Sequence, residues 1–348
     1  MISNKKKRLV NSLICLVSII CGLLLIEFVL RVFMPFYFCD NHGVYQYDKE
    51  LQTVPKKNVE LRRLKDYLEE YKTNKYGTIN FQDDFSGYHY LVFTLGDSYT
   101  QGVGIATDAS YPFQLDLLLN IENNEYTFKY GVVNLGLASY GGEQYLLALK
   151  RYLKLIGKPD FILVLGCSND YADDLRFKDF QSGKTFDIIE GNPKVDWFMK
   201  PLIFLGYDTE IGKRLYWMIK NYQKISFKKS NPGLKQKEIC AAEREAPVYE
   251  ELNIIAKENH ARLIISWASR DESYDWMKQW AQSHQIPFAD WYPAVQSVMK
   301  NIPALPLGNP HSGGHYRTWV NKIIAESFAR CIHNLDTGAS PARISAQR

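Results

Sequence analysis

The sequence predicts an α/β protein: a flavodoxin-like three-layer α/β/α sandwich with about five parallel strands, preceded by one N-terminal transmembrane helix. Three observations predict it. An uncharged apolar run follows a basic flank, short β-branched or aromatic runs alternate with amphipathic stretches, and small polar loops follow the strand ends. The chain has 348 residues, 46% of them hydrophobic, which excludes a disordered or collagen-like polymer and leaves ample chain for a core. At ~150 residues per domain the length suggests one large domain with appendages. Its 42 basic and 38 acidic side chains leave a net charge of +4, too small to argue for a nucleic-acid partner. Cys15, Cys21, Cys39, Cys167, Cys240 and Cys331 show no CxxC spacing, so neither a zinc ribbon nor a disulfide framework is legible.

Residues 1–9 form a basic flank with KKKR at Lys5 to Arg8, and residues 10–34 are expected to span a membrane. The 17 residues from Val10 to Ile26 carry no charge, and apolar character continues to Phe38. A helical span needs ~20 residues at 1.5 Å each. The flanking cations keep the N-terminus cytoplasmic and place the rest of the chain on the outer side, as in a single-pass protein of a bacterial inner membrane facing the periplasm. No AxA-like cleavage site succeeds the apolar run, so the helix is expected to be retained as a signal anchor. Glu27 and Arg31 stand four apart and can pair where headgroups begin. The bulky isoleucines before Cys21 do not suit lipidation.

Residues 35–87 are polar and charged and suggest a stalk or lead-in, with LRRLKDYLEEYK (Leu61 to Lys72) at helical spacing. The domain itself is expected over 88–333. Candidate strands are HYLVFTL (His89 to Leu95), YGVVNL (Tyr130 to Leu135), FILVL (Phe161 to Leu165), ARLIISW (Ala261 to Trp267) and IPFAD (Ile286 to Asp290). Amphipathic stretches between them imply right-handed crossovers and a parallel sheet, with ligands beyond the strands' carboxyl ends. At about 173–245 the rhythm breaks into an aromatic-rich insertion, basic from Lys213 to Lys237, expected over that edge. Residues 334–348 lack apolar periodicity and suggest a disordered tail.

The chemistry-bearing residues fall at strand ends. Ser98, in GDSYTQGVG, stands at a strand-to-helix turn, where it would serve either as an N-cap or as an exposed hydroxyl. No GK[ST] follows, and Thr100 breaks the GxSxG elbow. NLGLASYGG (Asn134 to Gly142) offers small residues whose N–H groups can approach an anion. Asn169, in GCSND, can present its amide to an oxyanion or simply form an Asx turn. His311 lies in the Pro- and Gly-rich loop of LGNPHSGGHYRTW and can take a proton from Ser98. His315 is expected to pack or fix the loop. Without the glutamate of HExxH the two histidines do not suggest zinc, and neither metal nor cofactor is expected.

Together, GDSYTQG, NLGLASYGG, GCSND and NPHSGGH resemble the four blocks of the SGNH (GDSL-type) hydrolase family, in order and over about Tyr88 to Cys331. The N-terminal helix resembles that of its membrane-anchored bacterial members. The resemblance implies an SGNH hydrolase fold, with Ser98 as nucleophile and first oxyanion donor, His311 as general base and Asn169 as a further oxyanion donor. The family's second-block glycine aligns with Ser139, or with Gly136 if the loop is offset. Its aspartate, two or three residues before the histidine, is replaced by Asn309 or Gly308. Asn309 would then orient the ring, with Asp290 and Asp170 as possible substitutes. The function implied is a membrane-anchored extracytoplasmic serine esterase that deacylates a cell-envelope glycan or lipid ester. The alternatives are an O-acyltransferase using the same site and a degenerate domain that binds glycan or scaffolds a complex.

Overall fold

The computed structural model describes residues 4–34, 44–64, 68–121, 129–184, 191, 209–215, 218, 240–309 and 313–337. The chain divides into two compact units, one of Met1–His42 with Ile188–Lys237 and the other of Gly43–Asp187 with Glu238–Arg348.

The first unit contains helix α1 (Asn4–Phe33). Its stretch Lys6–Phe33, 28 residues, is long and apolar enough to cross a membrane, and none of its apolar window is buried by protein. A core helix of a soluble domain would hide that surface. Arg31 pairs with Glu27 at 3.0 Å, as their spacing predicts.

In the second unit, strands β5 (Tyr90–Gly96), β6 (Tyr130–Asn134), β7 (Phe161–Gly166) and β8 (Arg262–Trp267) form a parallel sheet in the order β6-β5-β7-β8. Val92 through Leu95 and Phe161 through Leu165 are buried without interruption. Such continuous burial belongs to central strands covered on both faces. The flanking helices are α3 (Tyr111–Ile121), α4 (Gly142–Leu155), α5 (Asp170–Gln181), α6 (Ala241–Glu258), α7 (Glu272–Ser283), α8 (Tyr292–Asn301) and α9 (Thr318–Thr337), while the short α2 (Ser98–Gln101) follows β5 directly. This is the predicted doubly wound α/β architecture. The fifth strand shrinks to one parallel bridge between Ile265 and Phe288. Pro287 has no N–H to donate, which confines the ladder to that point.

Three expectations change on contact with the structure. Residues 61–72 form a hairpin, not a helix: β3 (Glu60–Leu64) pairs antiparallel with β4 (Leu68–Lys72). The apolar positions are symmetric about Asp66, so the spacing that suggests a helix face also sets Leu61 opposite Tyr71 and Leu64 opposite Leu68. In the same register Arg62 and Arg63 stand across from Glu70 and Glu69.

Residues 44–87 are likewise no free stalk. A second hairpin, β1 (Tyr45–Asp48) with β2 (Gln52–Pro55), buries Val44 and Leu51 in the domain's core. Arg151 of α4 bonds Asp48 at 2.8 Å and Glu50 at 2.7 Å. The side chain of Asn80 clasps β6, donating to Val132 O and accepting from Asn134 N.

The chain end is also more ordered than expected up to Thr337. Asp336 accepts from Lys129 Nζ at 3.0 Å and Tyr130 Oη at 2.8 Å, which ties down the last turn of α9. Residues 338–348 lie outside the described residues, as do 192–208 and 219–239 of the insertion with most of its aromatic run. Asp173 and Asp174 belong to α5 and Glu245 to α6, so the departure from the domain is narrower than 173–245.

Candidate active site

The turn after β5 presents a half-buried hydroxyl. A Cβ on Gly96 would lie 2.0 Å from Thr100 Oγ1 and 2.7 Å from Leu165 O, so only glycine lets the chain turn there against β7. Asp97, not Ser98, caps α2: its Oδ1 accepts from Tyr99 N at 2.9 Å. Gly102, left-handed at φ 84°, ends the helix after one turn. Ser98, relieved of capping, places Oγ 2.7 Å from His315 Nε2 and 3.2 Å from Asp97 Oδ2.

The imidazole partner is therefore His315, the residue expected only to fix its loop. His311, the base implied by the resemblance, lies outside the described residues. The loop that carries His315 is pinned by the backbone: Asn309 N donates to His315 O at 2.8 Å, Gly314 N to Asn309 O at 3.0 Å, and Arg317 N to Leu307 O at 3.0 Å. Asn309 thus serves His315 through its main chain. A Cβ on Gly308 would come within 2.3 Å of Gly314 O, so this turn also requires glycine. Two and three residues before His315 stand Gly313 and Ser312, so the family's aspartate has no carboxylate counterpart by this count either. Asp290 and Asp170 are committed elsewhere. Asp290 accepts from Tyr274 Oη and Lys278 Nζ, while Asp170 takes Tyr145 Oη and Cys167 N, each at 2.9 Å, and so fixes the turn after β7.

Asn169 enters from the end of β7. Its Nδ2 lies 2.5 Å from Asp173 Oδ2 and 3.4 Å from Asp97 Oδ2. Asp97 therefore touches both the serine hydroxyl and the asparagine amide. Burial pushes its carboxyl up from the ordinary aspartate range, opposed by the Tyr99 N–H, by the charge of His315 and by the bonds from Asn169 and Ser98.

The second-block candidates separate clearly. Gly136 N donates to Asn134 Oδ1 at 3.0 Å, and a Cβ there would strike the Thr100 side chain at 2.5 Å; this glycine packs β6 against α2 with its amide already engaged. Ser139 occupies the left-handed region at φ 67°, in a turn closed by Tyr140 N to Leu137 O at 3.1 Å. That conformation costs a non-glycine residue about 1–2 kcal/mol. Ala138, just before it, donates its N–H to Gln101 Oε1 at 2.6 Å, and Gln101 Nε2 bonds Tyr45 Oη at 2.5 Å. Hairpin β1–β2 is thereby linked to the loop that carries Ser139.

Sequence inspection missed Tyr99 and Tyr316, whose rings stand 5.1 Å and 4.7 Å from those of His315 and Tyr99 respectively. Their signal was adjacency alone, since each directly follows a residue of the hydrogen-bonded pair Ser98 and His315. Among the described residues no group of three His, Cys, Asp or Glu is disposed to hold a metal ion.

No family model matches this chain, and no curated protein matches it. Among solved structures it is similar to TesA, at 12% identity and a TM-score of 0.42, over 70% of this chain and 99% of that one. A member of the lipolytic protein G-D-S-L family from Veillonella parvula gives 10% identity and a TM-score of 0.38, over 70% and 98%. A GDSL-like lipase from Bacteroides thetaiotaomicron gives 12% and 0.34, over 71% and 89%. At these values the likeness speaks to neither substrate nor mechanism.

Proposed function

We propose that the chain is a serine ester hydrolase of the SGNH type. The observation that carries this reading is the 2.7 Å contact between Ser98 Oγ and His315 Nε2, at the carboxyl end of a parallel sheet. A hydroxyl within hydrogen-bond reach of an imidazole is an activated nucleophile and its base.

His315 Nε2 takes the Ser98 proton as Oγ attacks the ester carbonyl carbon. The carbonyl electrons move to oxygen, and the oxyanion is met by the N–H groups of Ser98 and Ser139 and by Asn169 Nδ2. Asn169 holds Asp173 with one amide hydrogen and reaches Asp97 only at 3.4 Å, so its second hydrogen is the one to offer. Collapse expels the alcohol, which takes the proton from His315 and leaves an acyl-serine. Water, deprotonated by the same imidazole, releases the acid. Among the described residues no acceptor for the Ser139 N–H competes with this role.

The substrate class that fits is an acyl ester of a cell-envelope glycan or lipid, hydrolysed outside the cytoplasm beside the membrane that α1 crosses. Support comes from the N-terminal basic flank, and from the contacts that bind Glu27, Arg31 and Met34 within the first unit and suit a retained anchor. Acyl transfer to a sugar hydroxyl would use the same intermediate. The test is labelling of the protein by a fluorophosphonate probe together with hydrolysis of p-nitrophenyl acetate. Both should vanish in Ser98→Ala, and undiminished labelling of that variant would overturn the proposal. Product analysis with an added glycan acceptor then separates water from sugar as the acyl acceptor.

A further inference from the structure

Glu27 is a carboxylate inside an apolar helix, six residues before its end at Phe33 and therefore ~9 Å deep along the axis. Its partners come from the insertion. Segment 209–215 is helical from Glu210 onward, and Thr209 caps it by accepting from Gly212 N at 2.9 Å. The next two orphan amides, Glu210 N and Ile211 N, donate to Glu27 Oε1 at 2.8 Å and Oε2 at 3.1 Å. Arg31 adds a further bond at 3.0 Å. A second clamp lies at the end of α1, where Arg214 Nη2 donates to Met34 O. Glu210 is buried and takes both Lys213 at 3.0 Å and Arg214 at 2.8 Å. Two carboxylates and three cations are thus mutually satisfied, the form charges take where water is scarce. Beside this cluster Leu215 and Met218, three apart, stay 55% and 60% exposed, and the end of α1 exposes Phe33 and Met34 equally openly. Apolar exposure next to a saturated ion cluster suits the boundary between headgroups and acyl chains.

We propose that the insertion is a second membrane-contacting element: the helix that begins at Glu210, clamped to the outer end of α1 through Glu27 and Met34, lies in the bilayer interface with Leu215 and Met218 against lipid. The inference rests on α1 crossing the bilayer and is independent of the ester chemistry. Arg31, Lys213 and Arg214 stand at headgroup level, where their stems cover apolar surface and their charges reach phosphate.

The test uses the full chain in vesicles of phosphatidylcholine and phosphatidylglycerol, with Leu215→Cys carrying an environment-sensitive fluorophore and Cys15, Cys21, Cys39 and Cys240 replaced by serine. The label should emit to the blue, lose intensity to nitroxide-bearing lipids and resist aqueous iodide. Adding Glu27→Ala should release it, with lipid quenching lost and iodide quenching gained while the protein still floats with the vesicles. A label at Leu16→Cys, mid-span, separates the failures. Lipid quenching at 16 with free iodide access at 215 overturns the interfacial placement alone, and no lipid quenching at either site overturns the span with it. Lipid quenching at 215 that survives Glu27→Ala overturns the clamp.

Discussion

The ring of Tyr99 stands 5.1 Å from that of His315, tilted at 52°, and the ring of Tyr316 stands 4.7 Å from that of Tyr99. Tyr316 is itself held, donating to Ala268 O at 2.6 Å and meeting the buried Trp291 edge-on at 5.4 Å. The imidazole that faces Ser98 is therefore joined through Tyr99 and Tyr316 to a ring cluster rooted in the core.

Tyr99→Ala should lower kcat about 10–100-fold with little change in KM, because misplacing a base by about 1 Å costs rates of that order while substrate contacts survive. Tyr99→Phe should restore most of the rate, since the ring does the positioning. Steady-state kinetics on p-nitrophenyl acetate would decide it, and a Tyr99→Ala enzyme with unaltered kcat would refute the cluster's role.

His315→Ala should reduce kcat/KM by about 10²–10⁴-fold, the usual contribution of a positioned general base. His311→Ala should leave the rate near that of the parent. If the two variants behaved the other way round, the base would be His311 after all.

Removing the Gln101 side chain should loosen the loop that carries Ser139. Gln101→Ala removes the acceptor of the Ala138 N–H and one partner of the Tyr45 hydroxyl, at a cost of about 1 kcal/mol per lost bond, and kcat should fall alongside stability. Urea unfolding measured together with kinetics would show both effects. A chain truncated before Tyr88 should be inactive for the same reason.

A buried carboxyl pair gives stability a pH dependence of known sign. Burial and the facing charge of Asp174 push Glu245 up to about 8 from its ordinary 4.5, and Asp174, also raised by burial, takes Glu143 N at 3.0 Å. The folded state then holds a proton that the unfolded state has already lost, so this pair's contribution is complete below about pH 4.5 and fades as pH rises to about 8. Glu245→Gln should flatten the decline, with the gap in Tm over the parent widening from pH 5 to 8. Parallel Tm curves for the two proteins would contradict the pairing.

The α/β class, four of the five strands and the principal helices were legible because each follows a local period, and Ser98 was legible because GDS ends a strand. The hairpin at 60–72 was not, since a spacing symmetric about one residue satisfies both a helix and a turn. That His315 meets Ser98 depends on the closure of the loop by Asn309, a contact made by backbone atoms that no side-chain pattern encodes. Asp97 as the cap of α2 was equally hidden, because aspartate and serine are both good caps and stand side by side.

The position of Ser98 depends on the bareness of residue 96. Where Thr100 and the edge of β7 close around residue 96, the room left is that of one hydrogen atom. Even a methyl group would have to displace Thr100 and the Leu165 carbonyl, and with them the turn that carries Ser98. Variation at this site should thus be felt first as lost turnover, although the residue itself has no side chain to react.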